Sequence, residues 1–212
     1  MSGPISAPLV VGFDLDMTLI DTVPGFAATL ERLGEELRID FPVDSLTANL
    51  GPPLDLMLGA YLPPEAVGPA IDRFRALYPD YAIAPVGPMP GAAAALAAVR
   101  RLGGRIVVVT GKYTPNAALH LHHLGLDHDL VVGQVWGAGK AGVLREQGAA
   151  MYLGDHVHDV EGALAVPTLS VSVLTGGSTR EELEAAGTHV ILDDLLAFPD
   201  WLDAHVLRAA DH

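Results

Sequence analysis

Pro8-Leu9-Val10-Val11-Gly12-Phe13-Asp14-Leu15-Asp16-Met17-Thr18 is the stretch on which the fold turns. Its first six residues are apolar and rich in β-branched side chains, with no polar alternation, so they read as a strand buried on both faces. The carboxyl end of that strand presents Asp14. Strands covered on both faces belong to parallel sheets, and each parallel neighbour must be reached by a crossover, usually a helix.

Downstream the expected alternation appears. An Ala-rich helix at about Ala92–Leu102 precedes a strand at Arg105–Val109, and a helix follows from near Pro115. A weaker strand at Leu130–Val132 leads to a helix after Gly139, a strand at Met151–Leu153, a helix from Val157 and a strand at Thr168–Val173. A last unit runs from Thr179–Ala186 to Val190–Leu192, and a terminal helix begins near Leu195. Repeated βα units predict an α/β fold, a Rossmann-like open parallel sheet with helices on both faces. Between the first strand and Pro88 the rhythm breaks, with helical stretches at Phe26–Leu37, Leu54–Tyr61 and Pro64–Tyr81 and no strand pattern. Turn signals at Thr22-Val23-Pro24-Gly25 and from Pro85 to Gly91 border this stretch. The expected division is a core of residues 1–22 and 86–212 and a small inserted helical cap of residues 23–85.

Composition narrows the chemistry. A chain of 212 residues suits one α/β domain with an insert, and the absence of cysteine excludes disulfides, thiolate metal sites and Cys catalysis. A formal charge of −14 disfavours an extended nucleic-acid surface, which needs clustered Lys and Arg. No window approaches the ~20 apolar residues of a membrane span, and the N-terminus carries no secretory pattern, so a cytoplasmic protein, monomer or homodimer, is expected. Only two lysines, Lys112 and Lys140, are available wherever a buried ammonium is needed.

Ligands of open parallel sheets gather at the carboxyl ends of the strands. Those ends carry Asp14-Leu15-Asp16-Met17-Thr18, Thr110-Gly111-Lys112, the loop to Lys140, and Gly154-Asp155-His156-Val157-His158-Asp159. Carboxylates gathered at one rim repel unless a cation sits among them. A hard divalent ion with oxygen ligands is implied, Mg2+ or Mn2+.

Asp-x-Asp-x-Thr after the first strand, Thr after the second, Lys, then Gly-Asp-x-x-x-Asp, in that order, resemble the motifs of the haloacid dehalogenase superfamily. The insert after the first motif, with Pro88-Met89-Pro90-Gly91 at its exit, resembles the phosphoglycolate phosphatase and β-phosphoglucomutase branch. The resemblance implies a Mg2+-dependent phosphatase of a small phosphorylated metabolite, with Asp14 as nucleophile and Asp16 as general acid and then base. It implies that Thr110 and Lys140, with Gly111 and Thr18, bind the phosphoryl group. It places Mg2+ on Asp14, Asp155 and the main-chain oxygen of Asp16, with Asp159 in or just behind that shell. Asp16 is then expected to hold a proton near neutral pH through partial burial beside Asp14.

Met17 stands where Gly is usual, Gly139-Lys140-Ala141 lacks the frequent Lys-Pro-x-Pro, and His156 follows Asp155. Lys112, beside Thr110, is an alternative source of the phosphate-neutralising charge. A phosphomutase would share the core motifs, and a phosphate-sensing regulator would share the phosphorylated Asp. Other features have plainer readings: His120, His122, His123 and His128 as a solvated helix face, and His156 and His158 as capping or surface residues rather than substrate contacts. The insert's cations are Arg32, Arg38, Arg73 and Arg75, and a carboxylate-bearing substrate would need one of them to face the core.

Overall fold

The computed structural model describes residues 8–48 and 50–210. In chain order, β1 (Val10–Phe13) and β2 (Ile20–Asp21) lead into α1 (Val23–Leu37), α2 (Val43–Thr47), α3 (Leu54–Gly59), α4 (Pro64–Tyr81) and β3 (Gly87–Pro88). The chain continues through α5 (Ala92–Arg101), β4 (Arg105–Val109), α6 (Thr114–His123), β5 (Leu130–Val132), α7 (Lys140–Gln147) and β6 (Met151–Gly154). It finishes with α8 (Val157–Leu164), β7 (Leu169–Val173), α9 (Arg180–Ala185), β8 (Val190–Leu192) and α10 (Phe198–Ala210).

Six parallel strands form the main sheet in the order β5-β4-β1-β6-β7-β8. The first strand is therefore central, as its unbroken apolar run requires. Successive strand side chains point to opposite faces. Val11, Phe13, Ile106, Val108 and Leu153 pack on one side with apolar residues of α5, α6 and α10. Val10, Val107, Val109 and Tyr152 pack on the other with Ala141 and Leu144 of α7 and Ala163 of α8. Gly12 belongs to that second face, where a β-carbon would lie 2.7 Å from the Tyr152 ring. Glycine there makes room for a tyrosine in the adjacent strand.

From β1 the chain steps to β4 and β5 on one side, then to β6, β7 and β8 on the other. The reversal falls between β1 and β6, whose carboxyl ends flank the crevice where such sheets bind ligands. Asp14 follows one strand and Asp155 the other.

The inserted helices α1 to α4 gather an apolar cluster of their own, in which Phe26, Leu30 and Leu33 meet Phe74, Leu77 and Tyr78. Gly25 lets α1 pass close to the end of α4, since a β-carbon there would lie 2.4 Å from the Ala82 carbonyl oxygen. Two details differ from the sequence expectation. A strand pair is present after all: β2 and β3 run antiparallel, Ile20 opposite Pro88 and Asp21 opposite Gly87, and clasp the two connections to the insert. The terminal helix starts at Phe198 rather than near Leu195, because Asp194 turns the chain by accepting from the Leu196 amide (2.8 Å). Among the described residues no helix is long and apolar enough to cross a membrane.

Candidate active site

Asp14 leaves β1 already buried, and Lys140, at the start of α7, donates to its Oδ1 at 2.7 Å. The same ammonium donates to Asp159 Oδ1 (2.5 Å) and to the Tyr152 hydroxyl (2.8 Å), and Tyr152 donates in turn to the Val109 carbonyl (2.7 Å). Lys140 is thus held by three groups at the centre of the rim. Glycine permits the approach of α8: a β-carbon on Gly162 would lie 2.9 Å from Lys140 Cβ. Tyr152 was not singled out in the sequence, where it reads as one more apolar strand residue. The available signal was a tyrosine in a strand buried on both faces, whose hydroxyl must find a partner.

Asp155 follows β6. Thr18, fully buried, donates to its Oδ1 at 2.7 Å, and the backbone at Gly176 comes so close that a β-carbon there would lie 1.7 Å from Asp155 Oδ2. Thr18 was expected to touch the phosphoryl group; here its hydroxyl is spent on Asp155, and its side chain is not on the cavity wall. Asp159, one turn into α8, accepts from Lys140 through Oδ1 and from the His156 amide through Oδ2 (3.1 Å). His156 completes the reciprocal cap, its Nδ1 accepting from the His158 amide (3.3 Å). The capping reading of His156 holds, although both histidines also line the cavity. Gly154 is required here, because a β-carbon would lie 2.3 Å from the Asp159 carboxyl carbon.

Asp14, Asp155 and Asp159 offer oxygens within 4.8 Å of one another, all buried. Burial pushes Asp14 up to about 7 despite Lys140, with Asp159 and Asp16 adding to the rise. Burial also pushes Asp155 well above the usual carboxylate range, with Asp159 and Asp14 adding. Three carboxylates share one ammonium. Such an all-oxygen donor set with uncompensated negative charge fits a hard divalent cation.

Asp16 does not behave as the sequence reading expected. Burial alone would raise its carboxyl, but Lys112 donates to Oδ1 at 2.5 Å and Thr22 donates to the same oxygen, and the net effect is a lowered value. Lys112 therefore serves Asp16 while Lys140 serves Asp14, so both lysines belong to the site. Asp16 Oδ1 is taken by these two partners, whereas Oδ2 has only the Thr110 hydroxyl at 3.5 Å. Thr110 is buried on the cavity wall, its hydroxyl accepting from the Lys112 amide (3.2 Å), with Gly111 beside it. Met17 holds φ 58°, a left-handed conformation in which glycine is unstrained, which accounts for the usual glycine at that place.

The histidines of α6 divide. His122 and His123 are exposed, whereas His120 is fully buried against the insert, 3.0 Å from the Tyr78 hydroxyl. Burial, with Lys112 nearby, lowers it to about 4. The solvated-face reading fails for His120 because α4 packs over α6 at that point. The insert arginines divide as well. Arg32 and Arg73 pair with Glu35 and Glu36 on the outer surface, Arg38 ends α1 in a left-handed conformation, and Arg75 alone of the four lines the cavity.

Fold and rim together define a parallel α/β core with a helical insert over a site of paired carboxylates and lysines. The chain belongs to the haloacid dehalogenase-like hydrolases, whose family profile matches residues 11–163. Tyrosine-protein kinase PtkA of Mycobacterium tuberculosis is 29% identical over 204 residues, spanning 90% of this chain and 70% of the relative. Phosphoglycolate phosphatase of Rhodospirillum rubrum is 29% identical over 222 residues, spanning 92% of this chain and 91% of the relative. A crystal structure described as a predicted phosphatase from Clostridium acetobutylicum has a TM-score of 0.78 at 26% identity, covering 96% of this chain and 100% of that one.

Proposed function

We propose that this hydrolase is a magnesium-dependent phosphatase that cleaves a small phosphate monoester through an aspartyl phosphate on Asp14. The observation that carries the reading is the pairing of each reactive carboxylate with its own lysine: Asp14 with Lys140 at 2.7 Å and Asp16 with Lys112 at 2.5 Å, on the wall of one cavity. Asp14 attacks phosphorus as the bond to the leaving oxygen breaks, and Asp16 delivers a proton to that oxygen. Water then attacks the phosphorus of the acyl phosphate and gives its proton to Asp16, as the bond from phosphorus to Asp14 breaks and inorganic phosphate leaves. The negative charge of an entering phosphoryl group raises Asp16 from its lowered resting value, which allows it to arrive protonated for the first step. Lys140 and Thr110, with Gly111, hold the phosphoryl oxygens. Thr18 acts behind them by orienting Asp155. Asp14, Asp155 and the main-chain oxygen of Asp16 would hold Mg2+, with Asp159 behind, and the ion would supply charge neutralisation at the phosphoryl oxygens.

Residues 23–85 form a cap in this reading. It closes over the rim from the clasp of β2 and β3 and excludes water from the acyl phosphate.

Release of phosphate from p-nitrophenyl phosphate with Mg2+, and its loss with EDTA, tests the reading, together with acid-quench trapping of label on Asp14. Absence of turnover with Mg2+ would sink it. A regulator that merely accepts phosphate would take up label once and keep it.

A further inference from the structure

The cavity that contains Asp14, Asp16, Lys140 and Asp155 continues beneath the inserted helices, with a volume of about 350 Å³. That is at the lower end of the ~300–1,000 Å³ typical of sites for drug-sized ligands, so space remains beyond one phosphoryl group. The nature of the wall says what fills it. Phe26, Leu54, Met57, Ile71 and Phe74 supply most of the insert's side of the wall, with Asp55 among them, and Asn116 and Gln134 add amides from the core. The hydroxyl of Tyr78 is already hydrogen-bonded to His120. A polyhydroxylated leaving group would bury against the apolar part of this wall every hydroxyl that Asp55, Asn116 or Gln134 does not reach, which costs ~1–3 kcal/mol for each. An apolar group gains by the same burial.

Across the cavity stands a cluster of three rings. Trp136 lies 4.0 Å from His158 between ring centroids at a tilt of 53°, and His158 lies 4.8 Å from His156 in a stacked arrangement. All three line the cavity, and His158 is fixed from behind by Glu161 at 2.7 Å. Aromatic rings on one side and apolar side chains, Phe26 and Phe74 among them, on the other favour an aromatic group between them.

One cation on the wall lacks a close carboxylate. Lys112 and Lys140 are engaged with Asp16, Asp14 and Asp159, whereas Arg75 has only Asp72 at 3.9 Å. Its guanidinium rests over the Tyr113 ring at 4.7 Å and its side chain is 34% exposed, so α4 presents it at the rim, braced by Tyr113. Such a placement favours a carboxylate at the far end of a bound molecule.

From this arrangement we infer that the substrate is a phosphate monoester of a planar, apolar alcohol, aryl in character, which carries an acidic group paired with Arg75. The inference rests on the phosphatase reading and adds the substrate class. It sets aside both hexose phosphates and the small, fully polar phosphoglycolate.

Phosphate release with Mg2+ tests it on four compounds: a phenyl phosphate bearing a propionate tail, its uncharged propionamide counterpart, a hexose phosphate and phosphoglycolate. The propionate compound is expected to exceed the amide by about tenfold in kcat/KM, the effect of one partly exposed charge-assisted pair. Both aryl compounds are expected to exceed the hexose phosphate and phosphoglycolate by more than that. Arg75→Ala should bring the propionate-to-amide ratio close to one, and Arg75→Lys should retain part of it. Preference for the hexose phosphate or phosphoglycolate, or an unchanged ratio in Arg75→Ala, would overturn the inference while leaving the phosphatase reading intact. Failure of all four compounds to release phosphate would overturn the phosphatase reading and this one with it.

Discussion

Replacing Asp14 by Asn keeps the shape of the side chain and removes the attacking oxygen, so a folded Asp14→Asn protein should show no turnover. Asp16→Asn separates the two half-reactions: a good leaving group departs without acid help, and the acyl phosphate then waits for a base. A stoichiometric burst of p-nitrophenol, followed by a steady rate lowered by ~10²–10⁴, is expected in rapid-mixing measurements. A normal steady rate would remove Asp16 from its role. Lys112 offers a sharper check, because it holds Asp16 low against burial. In Lys112→Met that support is gone and the Asp16 carboxyl rises. The low-pH limb of acyl-phosphate hydrolysis, which needs Asp16 ionised, should move to higher pH. Asp14 and Asp155 were legible in the sequence as rim residues because each directly follows a buried strand, and Asp16 lies two residues beyond Asp14. The partnership of Lys112 with Asp16 was not, since the two are 96 residues apart and meet only through the pairing of β1 with β4. Tyr152 and Gly176 were illegible for the same reason: one looks like strand filler and the other like loop, until packing brings them to Lys140 and Asp155.

At the scale of elements, the long periodic helices and aliphatic strands were readable to within a few residues. The short elements were not. α2 and the two-residue strands β2 and β3 are too brief to carry a period, and the strands exist because the ends of the insert are brought together. The crossing of α1 and α4 gives a test of how tightly the insert is built. Gly25→Ala places a methyl group 2.4 Å from the Ala82 carbonyl oxygen, where backbone has to move. A loss of ~1–3 kcal/mol in denaturant unfolding is expected. Gly154→Ala should cost a similar amount, because its methyl group displaces the Asp159 carboxyl and with it both the α8 cap and one anchor of Lys140.

For the molecule as a whole, the elevated carboxyls couple stability to pH and metal. Asp14, at about 7, and Asp155, also raised, bind protons more tightly folded than unfolded. Each contribution is fully present below the ordinary carboxylate range; that of Asp14 is lost as pH rises through about 7, at up to roughly 1.4 kcal/mol per pH unit, and that of Asp155 is lost in the same direction. In EDTA the melting temperature should therefore fall between pH 5 and neutrality. Mg2+, which competes with those protons, should restore it, with a larger increment near pH 7.5 than near pH 5.5. Equal increments at both values would argue that the cation does not sit on these carboxylates. The sheet and its rim were readable from order alone, whereas this balance of charge depends on burial, which only the assembled fold supplies. Lys140 has a consequence for how the rim holds together. Tethered by Asp14, Asp159 and Tyr152, its ammonium is a counter-charge that the chain itself carries into the centre of the carboxylates, and it offsets part of their mutual repulsion.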